Sequence, residues 1–277
     1  MSTIIANPEP VKVISRASEC MRRLMEAGVT YDALQTPIDD PEMRQRLVNY
    51  WLAGAPEINV ELPTITAIAY EPTPSQIRAR EIMGKNFLGI EETMRHFNAA
   101  FTPEELATLA EIPFSEAELE ECKNTHLLVC GYPMTILDIR AKAPNKKPKK
   151  TFYSYKDAWY NTQAFATNEK VGLRWYLIRK TAVEDSFSKT FDDQKQLLGA
   201  NDAVPRACEL VYAVVLYFMV TGERLFETVY VRCFDLASGG FRVVVGGFDS
   251  VGLDVVDGWG DGPDGGFGLS SARKSKK

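Results

Sequence analysis

The sequence predicts an α+β fold in which a mostly helical N-terminal region, residues 1–145, precedes a domain of mixed helix and strand, residues 146–277. Apolar residues recur at helical spacing through the first half, whereas the second half alternates strand-like runs with helices. A basic, proline-punctuated stretch at residues 143–150 separates the two regions. Hydrophobic residues make up 45% of the 277 residues and charged residues 25%, which excludes a disordered, collagen-like or fibrous chain.

The N-terminal region is predicted to consist of helices with one strand near its end. Helices are expected over residues 13–25, 40–54 and 73–84, and each ends at or shortly before a glycine. Thr102 and Ser115 each stand three residues before a glutamate, which is the spacing of a capping box at a helix N-terminus. Residues 126–130 form a short apolar run that predicts a buried strand.

The C-terminal domain is predicted to pack helices against a sheet. Residues 173–179 and 229–233 are rich in aromatic and branched aliphatic side chains and predict strands. A short amphipathic helix is expected over residues 191–198. The segment 205–222 is apolar almost all the way round a helix, so we expect it to lie beneath a sheet.

Secretion and membrane insertion are not expected from the sequence. The N-terminus lacks the basic and apolar regions of a secretory signal, and the longest apolar stretch, residues 210–220, is too short to span a bilayer. The five cysteines are widely spaced and form neither a disulfide framework nor a zinc pattern. These observations predict reduced thiols in a cytoplasmic protein, with export or association with a virion left open.

Residues 233–268, called the window below, differ in composition from the rest of the chain. They contain eleven glycines, six aspartates, six valines and four phenylalanines. Lysine, glutamate, glutamine and methionine are absent from the window, although the whole chain holds 52 of them. With one basic and six acidic residues, the window carries the entire net charge of −5. Nucleic acid is therefore a disfavoured partner, because its phosphates are also negative.

Apolar alternation predicts that the window is ordered. Apolar residues alternate over 241–245 and again over 253–255, which indicates two strands. Turns are expected at the glycine pairs 239–240 and 246–247. A flexible glycine-rich tail is the alternative interpretation of the same composition.

The window also fits a restricted codon alphabet. Asparagine codons whose two adenines are replaced by any base encode a set of residues that excludes Lys, Glu, Gln, Met and Trp. Every residue of the window belongs to that set except Trp259. We therefore interpret Trp259 as a fixed position among exchangeable ones.

A resemblance to a known family is carried by the sequence on either side of the window, Val229-Tyr230-Val231-Arg232-Cys233 before it and Gly268-Leu269-Ser270-Ser271-Ala272-Arg273-Lys274 after it. This segment resembles the variable region of a target protein of a diversity-generating retroelement, in which adenine-directed mutagenic retrohoming rewrites the end of the gene. The resemblance implies a C-type-lectin-like fold, with residues 173–179 as its first strand and residues 268–273 as the final strand beside it. It also implies a non-enzymatic, ligand-binding protein.

Two sets of side chains follow from this interpretation. The exchangeable, ligand-binding surface is predicted to consist of Phe234, Asp235, Phe241, Val244, Phe248, Asp249, Ser250, Asp254, Val256, Asp257, Gly260, Asp261, Asp264 and Phe267. The framework that holds the backbone is predicted to consist of Val231, Leu236, Val243, Val245, Leu253, Val255, Trp259 and Leu269.

The predicted surface combines phenylalanine with aspartate, which favours a protein partner that carries basic groups. We expect no nucleic acid, no cofactor and no metal, and the oligomeric state stays open. No catalytic residue is predicted, because His96 and His126 lack neighbours at the spacing of a metal or acid–base site.

Two alternatives from other functional classes are kept open. The first is a fixed, calcium-dependent, lectin-like domain that binds carbohydrate through Asp249, Asp254, Asp257, Asp261 and Asp264. The second is an enzyme whose site lies within residues 1–145, a region that matches no motif.

Overall fold

The structure is a computed structural model, and it describes residues 41, 45, 70–146, 150–153, 156–258 and 261–275. The chain divides into two compact units, residues 1–67 and 68–277. Nearly all described residues belong to the second unit. The helices expected over 13–25 and 40–54 lie outside the described residues, apart from Pro41 and Gln45, which are helical.

Eight α-helices are present in the described part of the second unit. They are α1 Pro74–Met83, α2 Ile90–Phe97, α3 Pro103–Thr108, α4 Glu116–Cys122, α5 Ile136–Lys142, α6 Ala164–Thr167, α7 Phe191–Gln196 and α8 Ala207–Thr221. Short 3-10 helices occupy Gly84–Asn86 and Trp159–Thr162. The side chains of Thr102 and Ser115 accept hydrogen bonds from the backbone of Glu105 and Glu118, which confirms both predicted capping boxes.

The strands form two sheets. They are β1 Phe87–Leu88, β2 His126–Cys130, β3 Trp175–Arg179, β4 Asp202–Ala203, β5 Tyr230–Leu236, β6 Arg242–Asp249, β7 Gly252–Asp257, β8 Phe267–Leu269 and β9 Ala272–Arg273. The first sheet has the order β1-β2-β3-β9-β4, and the second has the order β7-β6-β5-β8. The α+β class is therefore as predicted.

The expected boundary at residues 145/146 differs from the division of the structure, which falls at 67/68. Strand β2 lies before residue 145, and it pairs along its whole length with β3, which lies after it. Leu128, for example, faces Leu177. The region before residue 145 therefore supplies part of a sheet as well as helices.

Alternating side chains of β2 separate two cores. Leu127 and Val129 point into a large core shared with α8 and the second sheet. Leu128 and Cys130 point to the opposite side, into a smaller core that includes side chains of α1 and α4. The order of layers is therefore helices α1 and α4, first sheet, α8 and second sheet.

Helix α8 lies at the centre of the large core, as its apolar surface predicts. All twelve residues from Ala207 to Phe218 are buried, and the helix ends at Gly222 in the left-handed region. Burying a single Leu or Val side chain contributes about 1.5–3 kcal/mol, so this helix is a major source of stability.

The closing strand expected over residues 268–273 is split between the sheets. Strand β9 pairs antiparallel with β3, as expected for a final strand beside the first. Strand β8 instead pairs parallel with β5 in the second sheet. The intervening Ser270 is buried, and its hydroxyl donates to the carbonyl of Arg232.

The expected turn at residues 246–247 is wrong, because both glycines lie within β6. The register with β7 shifts between Gly246 and Asp249, so the glycines belong to a bulge instead of a chain reversal. A Cβ atom at Gly246 would collide with the carbonyl oxygen of Val229 and lie 2.6 Å from the Cα atom of Tyr230. The β6–β7 reversal instead falls at residues 249–252.

Candidate binding surface

The second sheet has an inner face that packs on α8 and an outer face turned away from it. Cross-strand register places one row on the outer face, consisting of Phe267, Tyr230, Gly246 and Asp254. A second row on the same face consists of Leu269, Arg232, Val244 and Val256. Between them lies an inner-face row of Gly268, Val231, Val245 and Val255, whose valines belong to the large core.

The residues predicted to be exchangeable differ widely in exposure. Six are exposed: Phe234, Phe241, Asp249, Ser250, Asp257 and Asp261. Four are half-buried: Asp254, Val256, Asp264 and Phe267. Three are buried: Asp235, Val244 and Phe248. Gly260 lies outside the described residues, as does Trp259 of the predicted framework.

The prediction that Phe248 is a surface residue is wrong. Its side chain is fully buried, and its ring centroid lies 4.9 Å from that of Phe218 on α8. The bulge at Gly246 and Gly247 shifts the strand register, which turns Phe248 toward the core.

The prediction that Asp235 lies on the surface is also wrong. Its carboxylate is buried and accepts a 2.6 Å hydrogen bond from the backbone N–H of Ala207, the first residue of α8. Burial raises the pKa of Asp235, while this hydrogen bond and the nearby Arg206 oppose the rise. The side chain caps a helix, so its identity is fixed by the fold.

The buried position of Val244 is a third correction. Val244 lies on the outer face but is fully covered. A Cβ atom built on Gly258 would lie 3.4 Å from both the Val244 side chain and the Phe267 ring. The chain that follows β7 and the Phe267 ring therefore shield this valine from solvent.

The β5–β6 hairpin exposes more apolar surface than predicted. Leu236, predicted as framework, is 50% exposed, because Asp235 and Ala237 on either side of it are the residues that point inward. Phe234 and Phe241 are 56% and 44% exposed. The other framework predictions among the described residues, Val231, Val243, Val245, Leu253, Val255 and Leu269, are all buried.

The open part of the outer face centres on Tyr230. Its ring lies against Gly247, so any side chain at Gly247 would collide with the Tyr230 hydroxyl. The hydroxyl lies near the carboxylate of Asp254 and acts to lower the pKa of that carboxyl. On the other side the Phe267 ring approaches edge-on, with 6.4 Å between centroids. The result is an aromatic surface with a carboxylate at one end.

The charge of this surface is negative and uncompensated. In the described part of the chain, Asp235 and Asp261 are the window aspartates that form ion pairs, so Asp249, Asp254, Asp257 and Asp264 have no paired cation. Burial raises the pKa of the Tyr230 hydroxyl, and of these four carboxylates Asp254 and Asp249 lie close enough to add to that rise. Burial raises the pKa of Asp254, and the negative charge of Asp249 adds to the rise. Hydrogen bonds from the Val255 backbone and Tyr230 oppose it.

The loop at residues 261–266 is fastened to the body by two arginines. Arg232 is 1% exposed, and its guanidinium donates to the carbonyl oxygens of Gly262, at 2.6 Å, and Lys189, at 3.0 Å. Arg242 forms a two-pronged ion pair with Asp261, at 3.1 and 3.2 Å. Arg232 thus holds the loop through its backbone, whereas Arg242 holds it through a side chain.

Sequence reasoning missed Tyr230, Arg232 and Arg242 as organisers of this surface. Arg242 is the one basic residue of the window, which is a signal that could have singled it out. Arg232 stands between the apolar residues Val231 and Cys233, and such a charge inside a strand implies a buried partner.

The described part of the structure contains no cluster of metal ligands that would support the calcium alternative. Among the described residues, no three His, Cys, Asp or Glu side chains come together in a group that could hold a metal ion. Of the five aspartates named for that alternative, Asp261 is engaged by Arg242, and Asp249 accepts from the backbone N–H of Val251.

Comparison with family models, with curated proteins and with solved structures finds no match for this chain. Among the helices that the structure describes, none is both long and apolar enough to cross a membrane.

Proposed function

We propose that this chain is a non-enzymatic ligand-binding protein whose second sheet presents an exchangeable surface to a protein partner. In this proposal, adenine-directed mutagenic retrohoming diversifies the window, and the domain that carries it has a C-type-lectin-like fold. The antiparallel pairing of β9 with β3 supports the fold assignment, since the final strand then lies beside the first.

The observation that carries the proposal is the location of ten predicted residues on solvent-accessible positions of one sheet and its loops. They are Phe234, Phe241, Asp249, Ser250, Asp254, Val256, Asp257, Asp261, Asp264 and Phe267. Asp235, Val244 and Phe248 leave the exchangeable set because they are buried. A side chain that does not fill the core is replaceable at little cost in stability.

The mode of attachment of the loop supports exchange as well. Because Arg232 binds backbone carbonyl oxygens, its contacts persist whichever side chains residues 261–266 carry. The backbone N–H groups of Ser188 and Phe191 likewise donate to the backbone carbonyls of Asp264 and Asp261. A loop held this way keeps its course when its sequence changes.

The partner that fits this surface is a protein with exposed lysine or arginine. The unpaired Asp249 and Asp254 attract such groups, and the Tyr230 and Phe267 rings offer area for their aliphatic stems and for cation–π contact.

The genomic test is direct. We expect a second, imperfect copy of the codons for residues 234–267 near the gene, differing at adenines, together with a reverse transcriptase gene. Flanking DNA with neither feature would remove the diversification part of the proposal.

A calcium titration by calorimetry separates the proposal from the lectin alternative. We expect no stoichiometric binding and no change in melting temperature with calcium. Tight binding accompanied by a higher melting temperature would favour the fixed carbohydrate-binding domain.

A further inference from the structure

A shallow cavity of about 570 Å³, broadly open to solvent, lies at the end of β5 away from the Tyr230 surface, and we call it the Phe234 cavity. Its wall includes Phe234, Leu198 and Val204 as apolar members. Arg174 and Lys274 also line it, from the chain before β3 and after β9. Its volume lies within the range of small-molecule sites.

The accessible charges of this wall are cationic. The Arg174 side chain is 59% exposed, whereas its partner Glu209, 3.1 Å away, is only 10% exposed. Glu209 is also engaged by the backbone N–H of Arg206, so its charge is directed into the protein. Asp202, the other wall carboxylate, is 18% exposed and forms an ion pair with Arg273.

Two other wall cations are engaged in ion pairs, Lys195 with Asp192 and Arg206 with Glu169 and Asp235. Lys274, by contrast, forms no ion pair with the described residues. Its ammonium donates to the carbonyl oxygen of Ala200 at 3.1 Å, a contact that fixes the amine without neutralising its charge. Arg174 is likewise fixed, because its guanidinium lies 4.7 Å from the centroid of the Tyr176 ring. The two cations are therefore held in place beside an apolar lining.

We propose that the Phe234 cavity binds an anionic group attached to a short apolar body. Arg174 and Lys274 contact the anion, and Phe234, Leu198 and Val204 contact the apolar part. A carboxylate and a phosphate share this chemistry. Phe234 is shared with the exchangeable set, whereas Arg174, Lys274, Leu198 and Val204 lie outside the window. The proposed anion contact therefore does not depend on the function proposed above.

The test uses hexanoate and hexyl phosphate as probes, with hexylamine and 1-hexanol as comparisons of equal chain length. Backbone amide NMR of the full chain reports where each compound binds. We expect both anions to shift the amide signals of Phe234, Val204 and Lys274, and the tighter of the two identifies the ligand as a carboxylate or a phosphate. We expect hexylamine and 1-hexanol to bind at least about fivefold more weakly, since a charge-assisted hydrogen bond is lost.

Substitutions locate the anion. We expect Arg174→Gln to weaken anion binding about tenfold and Lys274→Gln about fivefold. Lys274→Gln is the second variant because Arg174→Gln leaves the buried Glu209 without its ion pair. Lys170→Gln makes the same charge change at an exposed position outside the cavity and should leave the affinity unchanged.

Three results would overturn the proposal: no shifts from either anion, equal binding of hexylamine, or full affinity in the Lys274→Gln variant. The assay contains no protein partner, so each of these results leaves the proposed function of the outer face standing.

Discussion

The inner and outer faces of the second sheet place very different demands on their side chains. On the inner face, Val231, Val245 and Val255 pack into the core under α8 and are fully or almost fully buried. On the outer face, Asp254, Val256 and Phe267 remain partly accessible. The same strands carry both sets, so exchangeability belongs to individual positions and cannot be assigned to a whole segment.

The Phe248→Ala substitution should have the largest effect on this comparison. Phe248 belongs to the inner side, so we expect its loss to lower the free energy of unfolding by about 3–5 kcal/mol. Phe241→Ala, which removes a ring from the exposed hairpin, should cost about 0.5 kcal/mol or less. Denaturant unfolding measures both, and equal losses would contradict the division into faces.

The Arg232→Met substitution tests how the loop is held. It leaves the carbonyls of Gly262 and Lys189 without their donor, so we expect a loss of about 2–3 kcal/mol. Amide hydrogen exchange over residues 261–266 should become faster. Asp261→Ala removes the side-chain contact with Arg242 instead, and it should cost less than about 1 kcal/mol. Asp261→Asn is the milder variant, because it removes the ion pair and keeps one acceptor oxygen. A larger cost for Asp261→Ala than for Arg232→Met would show that the loop depends on its own side chains.

Asp235→Ala tests the buried helix cap. Loss of the hydrogen bond to Ala207 should lower the free energy of unfolding by about 1–2 kcal/mol. The matched control is Asp257→Ala, an exposed aspartate of the same window, which should change stability by no more than about 0.5 kcal/mol. If the two variants unfold at the same denaturant concentration, Asp235 is not a cap.

The smallest predicted effect concerns the pKa of Asp254, measured by carboxyl NMR titration. Because the charge of Asp249 contributes to the raised pKa of Asp254, Asp249→Asn should lower that pKa. Tyr230→Phe removes the hydroxyl that favours the ionised carboxylate and should shift the pKa of Asp254 upward. A fall in the pKa of Asp254 in Tyr230→Phe would show that the hydroxyl does not stabilise the carboxylate, and a rise in Asp249→Asn would show that Asp249 does not act on it.

Local signals made much of the fold predictable. Strand β2 has the predicted bounds, because its apolar run is uninterrupted. Helix α8 follows from an all-apolar surface that ends at Gly222. The capping boxes at Thr102 and Ser115 are likewise local patterns of four residues.

The incorrect predictions concern positions whose conformation or burial depends on contacts with residues far away in the sequence. A glycine pair is compatible with a turn or a bulge, and at Gly246 the deciding contact is with the Val229 backbone on β5. That bulge then determines the burial of Phe248. The sequence alone predicts that Asp235 is exposed. The residue that donates a hydrogen bond to its carboxylate, Ala207, lies 28 residues earlier in the chain.

The most direct test of an exchangeable outer face is to sequence many copies of this gene from one population. We predict substitutions concentrated at the ten accessible positions, from Phe234 to Phe267, with Asp235, Val244 and Phe248 unchanged. Substitutions distributed evenly along the chain, or as frequent at those three buried positions as at the accessible ones, would contradict it.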